Sequence, residues 1–188
     1  SGVVFVAIGK DMHTSTLHES RSFFGALKVR EYETPKVLAL VHGGILHGEQ
    51  WVESDEARAE PRSYYHKNGP LGQVMQVIDN LVQNPKIAAI GLGAGTVAAY
   101  GYSGNGLTFY ELDPNVEKLA RNRQLFSYVD DCIKRWCNLE VVIGDGRLKL
   151  AESEDAYDLV IVDAFSSDAI PVHLLTYEAM EVYFSKLT

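Results

Sequence analysis

The stretch VIVDAFSSDAIP, residues 160–171, sets two carboxylates at the mouth of an apolar run. Val160, Ile161 and Val162 lead straight into Asp163, and Asp168 follows in a polar loop that Pro171 closes. A carboxylate at the end of a buried strand must be solvated or paired, because burying it alone is expensive. Such an acid either caps or terminates a segment, or it lines a pocket that handles a cation.

Three further places bear on that choice. GLGAG, residues 91–95, follows a strand-like run and precedes a short helical one, the setting of a nucleotide-binding turn, with Gly91, Gly93 and Gly95 allowing close backbone approach. It lacks the full G-x-G-x-x-G pattern, since Val97 and Ala98 occupy the region of the third glycine. That departure suits a nucleoside better than a dinucleotide pyrophosphate. Glu111 ends the next strand-like run, where a carboxylate can accept both ribose hydroxyls. Asp145, in GDG with Gly146, ends the third, where it can accept from an adenine amino group or simply form a turn. Asp163 ends the fourth. Four consecutive strands that finish in glycine or an acid place all four groups at the carboxyl edge, where open α/β sheets bind ligands.

The elements that must position these groups divide by period. Residues 3–52 hold short β-like runs, VVFVAI, RSFFGALKVREYE and KVLALVH, punctuated by Gly and Pro. From about residue 70 strand and helix patterns alternate, which predicts a parallel sheet with helical crossovers. The expected division is an N-terminal β unit over 1–67 and an α/β unit over 68–188. A helix starts at Asn68-Gly69-Pro70, with Leu71, Val74, Met75, Ile78, Leu81 and Val82 on one face, and Pro85 ends it. Asp113-Pro114 reads as N-cap and first residue of another helix. A doubly wound order 3-2-1-4 would leave the strand at 157–163 on the edge, apolar on both faces and unprotected. Further strands are therefore expected to be cut away or supplied by another chain, and a homo-oligomer is expected.

Composition narrows the partners. The chain has 188 residues, 46% hydrophobic and 22% charged, with a net charge of −8. An acidic balance argues against nucleic acid or an anionic membrane surface, and no apolar run approaches the ~20 residues that span a bilayer. The opening SGVVFVAIGK is too short and too early charged for a secretory leader, and a start at Ser1 points to missing flanking segments. Cys132 and Cys137, read as lying in one helix, are expected to be reduced packing residues of a cytoplasmic protein. His42 and His47 flank HGGILHG without a third ligand, so they read as loop or pocket residues and no metal is expected.

The series GLGAGTV, FYELDPNV, VVIGDGR and YDLVIVDAFSSDAIP resembles the core of the spermidine and spermine synthases, the polyamine aminopropyltransferases. RSFFGALKV, LVHGGILHGEQ and YYHKNGPLGQV resemble the preceding segments of the branch often fused to transporter domains. The resemblance implies a Rossmann-like fold of the S-adenosylmethionine-dependent methyltransferase type, here apparently C-terminally truncated, behind a small N-terminal β domain. It implies transfer of an aminopropyl group from decarboxylated S-adenosylmethionine to a diamine or polyamine. Glu111 would then bind the ribose, and Asp145 with Gly146 the adenine. Asp163 would position and deprotonate the attacking amine. Asp168 would help to hold that amine, Tyr65 would line its side, and Gln50 would lie near the donor. The turn departs from the family pattern: the family acid that holds the amine of the donor arm is replaced by Ala94. The family's later amine-binding residues would lie beyond Thr188. Two alternatives stay open, a methyltransferase using S-adenosylmethionine in the same pocket and a non-catalytic nucleoside-binding module.

Overall fold

The computed structural model of the chain describes residues 14–164 and 171–188. It holds two four-stranded sheets. The first is an antiparallel meander of β1 (Thr14–Ser22), β2 (Gly25–Glu33), β3 (Lys36–His42) and β4 (Ile45–Trp51). The β-like runs of the sequence mark neither β1 nor β4 as a separate strand. The run at 21–33 proves to be a hairpin that turns at Phe23-Phe24, and VVFVAI lies outside the described residues. β4 carries a bulge: Leu40 pairs with Gly48 and Val41 with Leu46, which leaves His47 as the extra residue.

A short helix α1 (Asp55–Ala59) and a 3-10 turn (Ser63–Tyr65) lead to α2 (Pro70–Leu81). Gly69 is its N-cap and Pro70 its first residue, as the sequence predicts. The buried stripe is narrower than expected. Met75 is buried, with Leu71 and Ile78 partly so, whereas Val74 is exposed and Leu81 is 76% exposed. Gly72 takes an inward position instead, where a Cβ would sit 2.1 Å from the Lys67 carbonyl oxygen.

The second sheet is parallel, in the order β7-β6-β5-β8. Its strands are β5 (Lys86–Ile90), β6 (Gly106–Glu111), β7 (Asn138–Ile143) and β8 (Leu159–Val162). This is the doubly wound order 3-2-1-4. Crossovers are supplied by a 3-10 turn (Thr96–Tyr100), by α3 (Pro114–Ala120) with α4 (Tyr128–Lys134), and by α5 (Gly146–Glu152). A 3-10 turn (Val172–Leu174) and α6 (Tyr177–Ser185) follow β8. β5 alternates between two cores, as strand period requires. Ile87 and Ala89 join a cluster that includes Leu27, Leu40, Met75, Phe109 and Tyr128, so the two sheets share one apolar core. Ala88 and Ile90 face a second cluster with Tyr110, Leu150 and Tyr157. Among the described residues β8 pairs only with β5, so it is the edge strand that the order predicts. Also among the described residues, no helix is long and apolar enough to cross a membrane.

The reading of Cys132 and Cys137 as reduced is corrected: they form a disulfide, with Cα atoms 5.5 Å apart. α4 ends at Lys134, and Trp136 adopts φ +64°, which turns the chain back so that the Cys137 amide donates to the Cys132 carbonyl. The two residues therefore do not share one continuous helix.

Candidate active site

A cleft opens at the carboxyl ends of β5, β6 and β8, roofed by the hairpins of the antiparallel sheet. The strand order reverses beside β5, so this is the switch point where such sheets leave a crevice. Including its open mouth, the cleft encloses about 1000 Å³. Gly91, Gly93, Tyr65, Glu111, Asp145, Gly146 and Asp163 all line it.

The glycine turn is shaped first by the protein itself. Gly91 adopts φ +99° and a Cβ there would lie 2.4 Å from the Asp163 carbonyl oxygen. Gly93 adopts φ +54° and a Cβ would lie 2.2 Å from the His47 carbonyl oxygen. Positive φ and these approaches leave room only for glycine. The turn thus packs under β8 on one side and under the β4 bulge on the other.

Glu111 closes one end of the cleft. One carboxylate oxygen accepts from the Leu92 N–H and the other from the Asp113 N–H, both at 2.9 Å. The side chain therefore ties the glycine turn to the end of β6, and each oxygen keeps a lone pair for a further donor. Burial pushes its pKa up, against the pull of those N–H groups. Asp113 is the N-cap of α3, as the sequence predicts, and also accepts from Ser22 at 2.6 Å. Asp145 caps α5 by accepting from the Leu148 N–H at 3.0 Å, so the turn-forming role is present. Its other oxygen lies 3.1 Å from His173 Nε2 and so remains at the cleft. A Cβ on Gly146 would lie 2.5 Å from Ile90 Cγ2, which makes this glycine a packing requirement of α5 against β5.

Asp163 closes the other end. Its N–H donates to the Ile90 carbonyl at 2.9 Å, which continues the β5–β8 ladder and fixes its backbone. Tyr65 donates to one carboxylate oxygen, and Tyr64 donates to the other at 3.1 Å. Burial pushes the Asp163 pKa up, and the two phenols pull it back. Tyr64 is pushed up to about 12 by burial and by the Asp163 charge, and Tyr65 further still for the same reasons. Both phenols are thus donors at neutral pH. The arrangement is an oriented, half-buried carboxylate at the end of a cleft, suited to binding a cation and accepting its proton.

No protein-family model matches the chain. It is 26% identical over 174 residues to a polyamine aminopropyltransferase of Vibrio vulnificus (strain CMCP6), a match that covers 88% of this chain and 53% of the relative. A spermidine synthase solved in complex with the transition state analogue AdoDATO superposes with a TM-score of 0.58 at 20% identity. The spermidine synthase of Thermotoga maritima superposes with a TM-score of 0.61, also at 20% identity. Each superposition covers 92% of this chain, and 53% or 54% of the other. The fold is that of the spermidine synthases. It is a Rossmann-like fold of the S-adenosylmethionine-dependent methyltransferase type with a small antiparallel N-terminal sheet. The resemblance read from the motifs is supported by sequence similarity along most of the chain. The chain spans about half the length of the relatives it matches.

On the spermidine synthase fold, two sequence expectations need correction. Gln50 does not line the cleft. It is 0% exposed and fully bonded, donating to the Arg58 carbonyl and Ser127 Oγ and accepting from the Ser127 N–H and the Arg58 guanidinium. It joins β4 to α1 and α4. Gly95 is not a lining residue either; a Cβ there would meet Val129 of α4 at 2.7 Å. Asp168 lies outside the described residues. Among the side chains that the structure brings to the cleft, three bear on its chemistry. Tyr64 was visible only as the neighbour of Tyr65, and His173 lies across the loop from Asp163. His47 was read as a loop or pocket residue, and its Nε2 is buried with no partner among the described residues. Burial and the neighbouring His42 lower its pKa to about 4, so the ring is neutral at pH 7.

Ala94, where the resemblance expects an acid, is 1% exposed and faces Gly48, whose Cβ would lie 2.7 Å from that of Ala94. The substitution Ala94→Asp would bury an unpaired carboxylate against the β4 bulge. It is expected to destabilise the fold by at least about 3 kcal/mol in urea denaturation, without raising any transfer activity. A variant as stable as the parent would show that the turn has room for the acid.

Proposed function

We propose that the protein is a spermidine-synthase-type aminopropyltransferase, which moves an aminopropyl group from decarboxylated S-adenosylmethionine to a diamine or polyamine. The observation that carries this reading is Asp163 held between two phenols at one end of a cleft whose other end presents Glu111 and Asp145. Glu111 would accept the ribose hydroxyls with the lone pairs its backbone donors leave free, and Asp145 the adenine amino group. An alkyl ammonium has a reference pKa of about 10.4, so the acceptor arrives charged. Asp163 would attract it, orient it and take its proton. The freed nitrogen lone pair then forms the new N–C bond as the C–S bond of the sulfonium breaks, and methylthioadenosine leaves with the electron pair. The donor supplies the activated carbon; the chain supplies position and a base.

Within the same proposal, residues 1–67 and 68–188 are the N-terminal β unit and the nucleoside-binding unit. The protein is taken as cytoplasmic and homo-oligomeric, readings that rest on composition and on the open edge of β8. The paired cysteines no longer support the first. Ala94 favours one competing reading, methyl transfer from S-adenosylmethionine, because no acid on the turn is available for the amine of a donor arm.

Incubation with decarboxylated S-adenosylmethionine and a panel of linear diamines and polyamines separates these readings. The proposal expects methylthioadenosine together with an amine heavier by one aminopropyl group. S-adenosylhomocysteine formed from S-adenosylmethionine would replace it with methyl transfer. Release of neither nucleoside would leave a binding module.

A further inference from the structure

Tyr64 and Tyr65 are consecutive, yet both hydroxyls reach one carboxylate. In a 3-10 turn successive side chains normally diverge by about 120°. The backbone explains the exception. Ser63 adopts φ +59°, a left-handed conformation uncommon for a residue with a Cβ, immediately before the pair. The turn is then pinned from outside, with the Tyr65 N–H on the Arg62 carbonyl at 3.1 Å and the Tyr100 hydroxyl on the Tyr65 carbonyl. The two rings stack with centroids 4.2 Å apart and planes 34° from parallel. Tyr65 is buried and Tyr64 is 50% exposed, so Tyr64 forms the outer side of the pair. Its hydroxyl lies 3.1 Å from Asp163 Oδ1 and 2.9 Å from the Tyr65 hydroxyl, while Tyr65 donates to Oδ2.

A carboxylate held at one oxygen can still swing about its terminal torsion, which is broad. Held at both, it has a fixed plane. We propose that Tyr64 is a second positioning residue for Asp163: its hydroxyl locks Oδ1 and leaves the remaining lone pairs aimed at one place for a primary ammonium. This inference rests on the aminopropyltransferase reading for its ligand class, but the contact itself does not.

The hydrogen bond from Tyr64 opposes the upward push of burial on Asp163. Removing it raises the Asp163 pKa, so the form able to accept a proton is lost at a higher pH. The other ionisable groups along the cleft make no hydrogen bond to Asp163 among the described residues. They are Tyr110, Glu111 and Asp113 at the end of β6, Asp145 before α5, His173 after the loop, and His42 and His47 on the antiparallel sheet.

The test is Tyr64→Phe, which keeps the stacked ring and loses the hydroxyl. The Asp163 carboxyl is titrated by carbon-13 NMR in the parent and the variant, its resonance assigned by its absence in Asp163→Asn. The midpoint is expected to rise by about one pH unit, a tenfold change in the ionisation constant. Methylthioadenosine affinity is expected to stay as in the parent. The acid limb of kcat/KM for aminopropyl transfer is expected to move up by the same amount. An unmoved Asp163 midpoint overturns the inference, whatever the reaction. A moved midpoint in a protein that transfers no aminopropyl group supports the contact and overturns the functional reading instead.

Discussion

The substitution Asp163→Asn is expected to lower kcat by about 10²–10⁴, the usual cost of losing a general base, with methylthioadenosine affinity unchanged. Asparagine keeps the shape of the side chain and can still accept from one tyrosine while donating to the other phenol oxygen. It loses the charge that draws an ammonium and the basicity that takes its proton. The nucleoside contacts proposed for Glu111 and Asp145 come from other strands and stay in place. Stability separates this reading from one in which Asp163 only caps or ends a segment. The folded-state pKa of Asp163 is raised, chiefly by burial. The ionised form is therefore disfavoured by folding, and stability falls as pH rises through that pKa. A neutral amide relieves this cost, so at pH 7 the variant should be as stable as the parent or more so. Were Asp163 only a cap or strand terminus, Asp163→Asn would keep its turnover, and Asp163→Ala would lose about 1 kcal/mol of stability.

Glu111→Gln is expected to weaken methylthioadenosine binding at least tenfold, about 1.4 kcal/mol, as read by calorimetry. Charge-assisted hydrogen bonds contribute roughly 1.5–3 kcal/mol each, and two ribose hydroxyls would each lose a charged acceptor. The structure adds a second effect. Both Glu111 oxygens already accept backbone N–H groups, so an amide must set its NH₂ against either Leu92 or Asp113. A donor left without a partner in this buried place costs about 1–3 kcal/mol of folding stability. The two effects separate with the 2′-deoxy analogue of methylthioadenosine. The parent should bind it more weakly than the ribonucleoside, and the variant should bind both alike. A variant that still prefers the ribonucleoside as strongly as the parent would remove Glu111 from the ribose.

What the sequence made legible follows from period and punctuation. The runs ending at Ile90, Glu111, Ile143 and Val162 are apolar and bounded by glycine or acid, so the strands, their order and the gathering of Glu111, Asp145 and Asp163 could be read without coordinates. The antiparallel sheet was harder. The bulge at His47 shifts the alternation of β4, so that Leu46 and His47 both line the cleft while Gln50 turns into the core. Counting residues in HGEQW cannot reveal that shift, which is why Gln50 was assigned to the donor side and His47 was left without a definite role. The positive φ values at Ser63 and Trp136 are equally silent in sequence. One brings Tyr64 onto Asp163, and the other folds Cys137 back on Cys132. The pairing of His173 with Asp145 joins residues far apart in the chain, and no local pattern encodes it.

The measurement that tests the central claim most directly is a crystal structure with methylthioadenosine and a linear diamine bound together. The account predicts the ribose hydroxyls on Glu111, the adenine amino group at Asp145, and a terminal amine nitrogen within hydrogen-bonding distance of Asp163, between it and the nucleoside sulfur. A nucleoside seated elsewhere, or a diamine that leaves Asp163 and its two tyrosines untouched, would contradict it.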